Sequence, residues 1–317
     1  MNVPDDGCDA SIAVLIPCYN EAAAITEVVQ DFRAALPDAT IYVFDNNSND
    51  DTATLARDAG AVVRSEPRQG KGNVVRRMFA DIDADIYVMV DGDGTYDAPS
   101  ARKLIEIMVA DNVDMVVGSR VPIGADEGEV YRRGHTMGNR LFNTVARLMF
   151  GAGFTDIFSG YRAMSRRFVK SFPLTASGFE IETEITVHAV ELASPYAELP
   201  TPYGSRRGES SSKLRTYRDG ARILRIAIAL YRDVRPMRFF GILFGLLLLC
   251  SILLGIPVVT DYIETGLVPK FPTAILAAAM ATLAFIFLTC GIIVDSLSRA
   301  RREVRKLAYL RFPPPGS

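Results

Sequence analysis

Two long stretches without a charged residue place the strongest limit on how this chain folds. They cover Phe239–Thr260 and Thr273–Val294, and each has 22 residues. About 20 apolar residues in a helix are enough to cross the hydrocarbon part of a bilayer. We therefore predict a two-helix transmembrane hairpin over residues 239–294. A buried helical hairpin in a soluble protein is the alternative, and the length of both stretches disfavours it.

The residues that flank the two stretches differ in charge. Between them lie Asp261, Glu264 and Lys270, whereas residues 295–317 hold six Lys or Arg against two acidic residues. Basic flanks of membrane spans stay on the cytoplasmic side. We therefore expect a multi-pass protein of the inner (plasma) membrane, with both termini and a large N-terminal domain in the cytoplasm.

A strongly basic segment precedes the first apolar stretch. Residues 213–238 contain eight Lys or Arg and two Asp, and the apolar residues Ile223, Ile226, Ala227 and Leu230 recur at helical spacing. A helix of this kind lies in the membrane interface with its arginines toward anionic headgroups. An amphipathic helix packed on a soluble domain is the alternative.

Composition excludes several other classes of protein. The net charge of −2 excludes a generally basic nucleic-acid binder, so no nucleic-acid partner is expected. The four cysteines lie far apart, as do His135 and His188, so neither a zinc site nor a disulfide framework is indicated. The acidic N-terminus has no apolar segment, and no cleaved export signal is expected.

Residues 1–212 alternate apolar runs with amphipathic segments. The runs read as strands and are "SIAVLIP", "TIYVFDN", "AVVRSE", "DIYVMVD" and "DMVVGSR". A helix after each of the first four, the first of them capped by Asn20, predicts an α/β domain with a mostly parallel sheet. Ligands bind beyond the carboxyl ends of the strands in such sheets. Polar clusters follow several of these runs, so we expect the binding site at that edge.

The cluster "DGDGTYD" holds two carboxylates one residue apart, Asp91 and Asp93, directly after the apolar run Ile86–Val90. Residues i and i+2 of a strand point the same way, and two carboxylates aimed together repel each other without a cation between them. Oxygen ligands suit Mg²⁺ or Mn²⁺. A solvated turn after a buried strand is the alternative that these residues alone leave open.

The segment "PRQGKGN" contains Lys71 and resembles part of a phosphate loop. Its spacing differs from GxxxxGK[ST], and the dinucleotide glycine fingerprint is missing after the first strand, so a nucleotide triphosphatase is disfavoured. Two interpretations of Lys71 remain: a surface lysine at the start of a helix, or a group beside the phosphates of a ligand.

An ordered set of motifs now points to a known family. These are "IPCYNE", "VFDNNSNDDT", "DGDGTYD", "GSR", "DIFSGYRAMSRR" and "RRGESSSKL". Together they resemble the family 2 glycosyltransferases with a GT-A fold, over roughly residues 11–310. The greatest resemblance is to the polyprenyl-phosphate sugar synthases, including dolichyl-phosphate mannose synthases, in their bacterial form with two C-terminal membrane spans.

The resemblance implies an inverting transfer of a hexose or N-acetylhexosamine from a nucleotide-sugar to a polyprenyl phosphate, undecaprenyl or dolichyl, with Mg²⁺ or Mn²⁺ as cofactor. A UDP-sugar is favoured over GDP-mannose. The implied partners are these two substrates and the lipid bilayer, and a homo-oligomer is compatible with the sequence.

The resemblance also implies site residues. Those expected to bind the donor are Pro17, Tyr19, Glu21, Asp45, Lys71, Asp91, Arg120, Arg207 and Lys213. Asp91 and Asp93 are the implied metal ligands, and Asp93 and Asp156 the implied catalytic residues. Those expected at the acceptor phosphate are Arg132, Arg133 and Arg206. Thr95 stands where some members carry a further glutamine ligand.

Two other classes of protein are alternatives to this interpretation. A processive polysaccharide synthase is disfavoured because the chain has no tryptophan and hence no "QxxRW"-type acceptor motif. A non-catalytic membrane scaffold with a degenerate GT-A domain is disfavoured because Asp91, Asp93 and Asp156 are all present. The predicted domains are a catalytic domain over 1–212, the interfacial region 213–238, the hairpin 239–294 and the basic segment 295–317.

Overall fold

The structure, a computed structural model, describes residues 10–122, 153–173, 181–204, 228, 231–232 and 235–315. Two compact units divide the chain. The first comprises Met1–Thr216 together with Val304–Ser317, and the second comprises Tyr217–Glu303. Most of the predicted interfacial region 213–238 lies outside the described residues.

The first unit is built of alternating strands and helices. Its strands are β1 (Ile12–Cys18), β2 (Thr40–Asp45), β3 (Val62–Ser65), β4 (Ile86–Met89), β5 (Met115–Pro122), β6 (Arg162–Ser165) and β7 (Tyr196–Tyr203). Its helices are α1 (Ile25–Ala35), α2 (Thr52–Asp58), α3 (Lys71–Asp81), α4 (Ser100–Ala110), α5 (Arg166–Ser171) and α6 (Ile181–Leu192).

One mostly parallel sheet joins the described strands in the order β3-β2-β1-β4-β6-β5-β7. Only β6 runs against its neighbours, pairing antiparallel with β4 and with β5. The carboxyl ends of the parallel strands therefore meet at one edge. Because β6 is reversed, its first residue, Arg162, pairs with Met89 and Val117 near that same edge. The predicted α/β fold with a mostly parallel sheet is confirmed.

The apolar runs explain why β1 is central. It lies between β2 and β4, and residues 13–18 are all buried. Continuous apolar sequence is expected of a strand that is covered on both faces. Helix α1 supplies part of that cover, since Ile25, Val28, Val29 and Phe32 are buried at helical spacing.

The predicted N-cap at Asn20 is wrong. Helix α1 begins at Ile25, and Asn20 adopts a left-handed backbone with φ 56°. Its side-chain oxygen Oδ1 instead accepts the N–H of Asn49 at 2.8 Å, which ties the loop after β1 to the loop after β2. Asparagine tolerates this conformation because its short side chain can hydrogen-bond locally.

The last residues of the chain pack on the amino edge of the sheet, opposite the strand ends described above. We call residues 304–312 the docking segment. Tyr309 donates its hydroxyl to Asp114, a fully buried carboxylate just before β5. Arg167 binds the same carboxylate and lies 4.7 Å from the centre of the Tyr309 ring. Phe312 lies beneath Arg166 at 5.2 Å. The first unit is therefore assembled from two distant parts of the sequence.

The second unit contains two long helices, α7 (Pro236–Thr265) and α8 (Phe271–Tyr309), the last turns of α8 belonging to the first unit. Both are long and apolar enough to cross a membrane, by length and composition. Within the hairpin, Ser251 donates to the backbone oxygen of Ala277 at 2.7 Å, and the rings of Phe240 and Phe287 stack at 6.3 Å. The two predicted apolar helices are thus present. Helix α7 contains Pro257 and continues past it. Neighbouring helices and side chains can bond the backbone group that a proline leaves without a partner.

We predict that His188 makes the first unit sensitive to acid. Its Nε2 lies 3.0 Å from the hydroxyl of Ser171, and the rings of Phe168 and Phe172 pack against it. Burial, and next the charge of Arg305, lower the pKa of His188 to about 3. In the unfolded chain a histidine has a pKa of about 6.5, so as the pH falls the unfolded state binds the proton before the folded state does. Stability should be complete above about pH 6.5 and decline as the pH falls toward 3, by about 1–3 kcal/mol at pH 4.

Thermal unfolding of wild type and His188→Gln between pH 7.5 and 4 tests this prediction. Glutamine retains a partner for Ser171 and does not titrate, so its thermal midpoint should fall less steeply with acid. Parallel profiles for the two proteins would show that His188 does not control the acid response.

Candidate active site

The carboxyl edge of the sheet gathers most of the described residues that the sequence predicted. Asp45 is the last residue of β2, Arg120 lies near the end of β5, and Asp91 and Asp93 follow β4. Asp156 lies in the segment that leads into β6. The predicted convergence of polar clusters at this edge is therefore present in the fold.

Lys71 joins two acidic residues at the start of α3. Its Nζ lies 2.5 Å from Oδ1 of Asp91 and also forms an ion pair with Glu182 of α6. The Lys71 side chain is only 12% exposed, so the surface-lysine interpretation is wrong. Burial would lower the pKa of Lys71, but Asp91 and Glu182 outweigh it and hold the pKa well above its usual value. Lys71 is a fixed cation between two carboxylates.

Sequence reasoning missed Glu182. It lies 111 positions after Lys71, and only the packing of α6 against α3 brings the two together. Its side chain is 7% exposed. Its burial, which only the fold reveals, points to a paired or functional carboxylate, because isolated charges are almost never fully buried.

Asp93 is held by the residue two positions later. Both the N–H and the hydroxyl of Thr95 donate to Oδ1 of Asp93, at 3.2 and 2.6 Å. Asp93 and Thr95 are both buried. Thr95 therefore orients the aspartate.

The strand-face argument for Asp91 and Asp93 does not apply. Strand β4 ends at Met89, and both aspartates lie in the turn that follows. They nevertheless act on common neighbours. Burial raises the pKa of the Cys18 thiol well above its usual value, and the charges of Asp91 and Asp93 both raise it further. Burial raises the pKa of the Tyr203 phenol in the same way, and the charges of Asp93 and Asp91 raise it further.

Arg120 and Asp156 form a two-pronged ion pair. Nε and Nη2 of Arg120 donate to the two oxygens of Asp156, each at 2.7 Å, and the backbone N–H of Arg120 adds a third bond at 3.2 Å. The guanidinium also lies 5.5 Å from the centre of the Tyr203 ring. Bidentate pairs of this kind fix geometry as well as charge. Both oxygens of Asp156 are therefore engaged and its orientation is set.

Asp45 has one oxygen that no described residue satisfies. The side chain is 8% exposed, and Oδ2 accepts the N–H of Ser48 at 3.3 Å. Oδ1 is buried and has no hydrogen-bond partner. A buried acceptor without a donor costs about 1–3 kcal/mol.

A second residue that sequence reasoning missed shapes the surroundings of Asp45. Asn46 donates through Nδ2 to the backbone oxygens of Glu66 and Arg68, at 2.9 and 2.8 Å, and accepts the N–H of Gly70 at 2.6 Å. Gly70 has φ 126°, which favours glycine. These bonds fasten residues 66–70 beside the end of β2 and set where α3 begins.

The remaining predicted residues divide into two groups. Pro17 is buried at the end of β1, Tyr19 is 42% exposed just after it, and the backbone N–H of Glu21 donates to the hydroxyl of Thr52. The others lie outside the described residues, and they are Arg132, Arg133, Arg206, Arg207 and Lys213.

The described carboxylates fit a Mg²⁺ or Mn²⁺ ion that is bound partly by the protein and partly by the phosphates of a substrate. No group of three His, Cys, Asp or Glu is arranged as a metal cage within the part of the chain that the structure describes. Mg²⁺ usually takes one or two protein carboxylates and completes its shell with water and phosphate oxygens. Asp93 and Asp91 provide that number. One oxygen of each is already engaged, Oδ1 of Asp91 by Lys71 and Oδ1 of Asp93 by Thr95.

Comparisons with known proteins identify the family to which the chain belongs. A family model described as "Glycosyl transferase family 2" matches residues 13–172. The chain is 37% identical to glycosyltransferase AglJ of Haloferax volcanii over 246 residues, which are 76% of this chain and 77% of that protein. It is 30% identical to a dolichyl-phosphate hexose transferase of the same organism over 212 residues, which are 67% of this chain and 90% of the relative.

A solved structure shares the fold. Glucosyl-3-phosphoglycerate synthase from Mycobacterium tuberculosis, crystallised with Mn²⁺, UDP-glucose and phosphoglyceric acid, aligns with a TM-score of 0.56 at 23% sequence identity. The alignment covers 71% of this chain and 80% of that enzyme. The first unit thus has the GT-A type of fold that the sequence predicted.

We predict that Gly160→Ala displaces Asp91. A Cβ at Gly160 would lie 2.6 Å from Oδ2 of Asp91, and that carboxylate has little freedom because Lys71 holds its other oxygen. Overpacking of this kind costs about 1–3 kcal/mol, so the thermal midpoint should fall by several degrees, roughly 2–8 °C. Gly153→Ala is the matched control, since its Cβ would meet only the Tyr196 hydroxyl at 3.6 Å. Equal thermal midpoints for the two variants would contradict the close contact at Asp91.

Proposed function

The chain belongs to glycosyltransferase family 2, and from this premise we propose that it transfers a hexose or N-acetylhexosamine from a nucleotide-sugar to a polyprenyl phosphate, with inversion at the anomeric carbon. The family establishes the glycosyltransferase activity. The lipid-phosphate acceptor is supported by the relative named dolichyl-phosphate hexose transferase and by the two apolar helices.

The observation that carries the donor assignment is the unsatisfied Oδ1 of Asp45 at the end of β2. A nucleobase with an edge N–H, such as uracil or guanine, supplies the donor that this buried acceptor lacks. Hydrogen bonds to an ionised group are stronger than neutral ones. We propose a UDP-sugar in preference to GDP-mannose, following the resemblance to bacterial synthases, with Pro17, Tyr19 and Glu21 around the base and ribose.

The departing nucleoside diphosphate gains negative charge as the glycosidic bond breaks. Mg²⁺ or Mn²⁺ held by Asp93 with Asp91 would neutralise that charge when bound. Lys71 keeps Asp91 in place through its ion pair, and Thr95 does the same for Asp93. Arg120 can donate to the diphosphate from the position where Asp156 holds it.

The acceptor needs little help to become a nucleophile. The second pKa of a phosphate monoester is near about 6, so the group is largely dianionic at neutral pH. Direct attack by one of its oxygens forms the new bond to the anomeric carbon as the bond to the nucleoside diphosphate breaks, which inverts the configuration. We therefore propose that Asp156 orients Arg120 and the reacting groups rather than removing a proton, because both its oxygens are already engaged.

The acceptor phosphate itself needs cations beside it to balance its charge. We propose Arg132, Arg133 and Arg206 for this role, and a loop carrying Arg207 and Lys213 that closes over both substrates. These assignments rest on the resemblance. Arg207→Ala and Lys213→Ala should each reduce transfer in the assay below by at least about tenfold, which is ~1.4 kcal/mol of transition-state stabilisation. Rates within twofold of wild type would remove both residues from the mechanism.

We expect the purified protein to make one glycolipid from a panel of nucleotide-sugars. The panel contains UDP-glucose, UDP-N-acetylglucosamine and GDP-mannose, each incubated with Mg²⁺ or Mn²⁺ and undecaprenyl phosphate, and products are identified by lipid mass spectrometry. Excess EDTA should abolish the product, and Asp93→Ala should do so with the metal present. Absence of product with every donor, in a folded preparation, would favour the non-catalytic scaffold.

Asp45→Asn is the matched variant for the donor assignment. Ser48 N–H fixes an oxygen at the Oδ2 position, so the new NH₂ takes the place of Oδ1 and points a donor at the base N–H. Donor affinity measured by calorimetry should fall at least about tenfold. Asp58→Asn, an exposed residue of α2, makes the same charge change and should bind normally. Equal affinities for the two variants would place the base elsewhere.

We also propose that the two helices α7 and α8 anchor the enzyme, with both termini and the catalytic unit in the cytoplasm and residues 213–238 in the membrane interface. The basic flanks support this orientation. In intact cells a membrane-impermeant maleimide should label Leu267→Cys, between the two helices, and leave Ser317→Cys unlabelled. The opposite labelling pattern would invert the topology.

A further inference from the structure

The mechanism above does not use Arg162, although it is the largest fully buried side chain in the described part of the molecule. It opens β6 at the carboxyl edge of the sheet, beside the active site. Its guanidinium has no solvent-exposed surface. A cation at such a place is unusual, because arginine is almost never fully buried without a paired charge.

The described hydrogen bonds of the Arg162 guanidinium go to neutral acceptors. Nε donates to the backbone oxygen of Ser159 at 3.0 Å and Nη2 to that of Ile157 at 2.7 Å. Nη1 donates to the hydroxyl of Thr186 at 2.9 Å and lies 3.6 Å from the sulfur of Met115. Two of the nitrogens therefore reach the segment before β6, and the third reaches helix α6 and strand β5.

This arrangement costs stability. Burial lowers the pKa of Arg162 to about 10, which still leaves the side chain charged at neutral pH. Desolvating a cation is costly, and replacing buried charged groups by apolar side chains of similar volume is often neutral or stabilising. Retention of a charge in this position therefore calls for a role other than filling the core.

Two of the three bonds hold the segment that carries the active-site carboxylate. We call residues 156–161 the Asp156 segment, since it begins at Asp156 and ends directly before β6. Arg162 fixes the carbonyls of Ile157 and Ser159 within it. Further along, the hydroxyl of Ser159 donates to the backbone oxygen of Gly118 at 2.5 Å. The position of the segment relative to β5 is thus fixed by hydrogen bonds.

The same segment touches the metal-side aspartate. Gly160 leaves no room for a Cβ beside Oδ2 of Asp91, where the distance would be 2.6 Å. Its backbone N–H donates to the Tyr96 hydroxyl at 3.0 Å. A shift of the segment would therefore move Asp156 at one end and press on Asp91 at the other.

The third bond of Arg162 reaches the helix that carries Glu182. The Thr186 hydroxyl accepts from Nη1 and in turn donates to the backbone oxygen of Glu182 at 3.0 Å. Glu182 is the partner of Lys71, which holds the other oxygen of Asp91. One guanidinium therefore links the backbone beside Asp156 with the helix that secures Lys71.

We propose that Arg162 is a positioning residue, which sets the spacing between the Arg120–Asp156 pair and the Lys71–Asp91–Glu182 cluster. The proposal deepens the proposed function and rests on it, since the two clusters are the groups that would face the acceptor and the donor diphosphate. Three donors in a rigid planar fork are needed to reach Ile157, Ser159 and Thr186 together. A lysine ammonium is a single point charge and cannot span them.

Arg162→Lys tests the proposal, with Arg167→Lys as the matched control. Both replace a guanidinium by an ammonium near β6, and Arg167 binds buried Asp114 at the opposite edge of the sheet, away from the site. We expect Arg162→Lys to lower kcat about 30- to 100-fold, as a misplacement of order 1 Å does, while KM for the donor stays within about threefold of wild type. Arg167→Lys should lower the thermal midpoint and leave kcat within about twofold.

Hydrogen exchange supplies a readout that does not depend on turnover. In Arg162→Lys the amides of Gly160 and Tyr161, which bond Tyr96 and Ser159, should exchange faster, while the amides of β1 remain protected. If wild type transfers no sugar from any donor, the proposed function fails, and faster local exchange still supports the positioning of the segment by Arg162.

Two outcomes overturn the proposal. One is unchanged exchange at Gly160 and Tyr161 in Arg162→Lys. The other is an equal loss of kcat in Arg162→Lys and Arg167→Lys, which would mean that destabilisation alone accounts for the effect. Should Arg162→Lys not fold, Thr186→Val removes one of the three acceptors with little change in volume. That variant should show the same faster exchange and a smaller decrease in kcat, and normal values of both would refute the proposal.

Discussion

Asp45, Asp91, Asp93, Asp156 and Glu182 all lie around one edge of the sheet, and like charges gathered in this way repel one another unless cations lie among them. Lys71 lies between two of these carboxylates, those of Asp91 and Glu182. Arg120 forms an ion pair with a third, Asp156. Each cation comes from a different element of the fold. The edge can therefore form only when helices and strands far apart in sequence have packed together.

Much of the first half of the chain could be predicted from its sequence. The alternation of apolar runs and amphipathic helices up to residue 122 predicted the right elements, since β1 and β4 are almost entirely buried and a helix such as α1 buries one face. The turn clusters after β2 and β4 were correctly expected at one edge. Strand β6 was not predicted, and its reversed direction depends on its pairing with β4 and β5, which lie far from it in sequence.

The site was harder to predict than the fold, for reasons that particular residues make clear. The prediction of Asp91 and Asp93 as metal ligands used an argument from a strand, and that strand ends at Met89 before reaching them. Asn20 looked like a helix cap, and a left-handed turn uses its side chain instead. Glu182 carried no local signal at all, because its role depends on a partner 111 residues away.

The docking segment, residues 304–312, gives the first unit a discontinuous sequence, since the other residues of that unit lie before residue 217. A ribosome makes the chain from its N-terminus, and domains generally fold as units in that order. Here the order cannot be followed completely. Tyr309 reaches the buried carboxylate of Asp114 only after both apolar helices have been synthesised. This contact of the first unit therefore forms only when helices α7 and α8 have already been made, so the unit is completed late in synthesis.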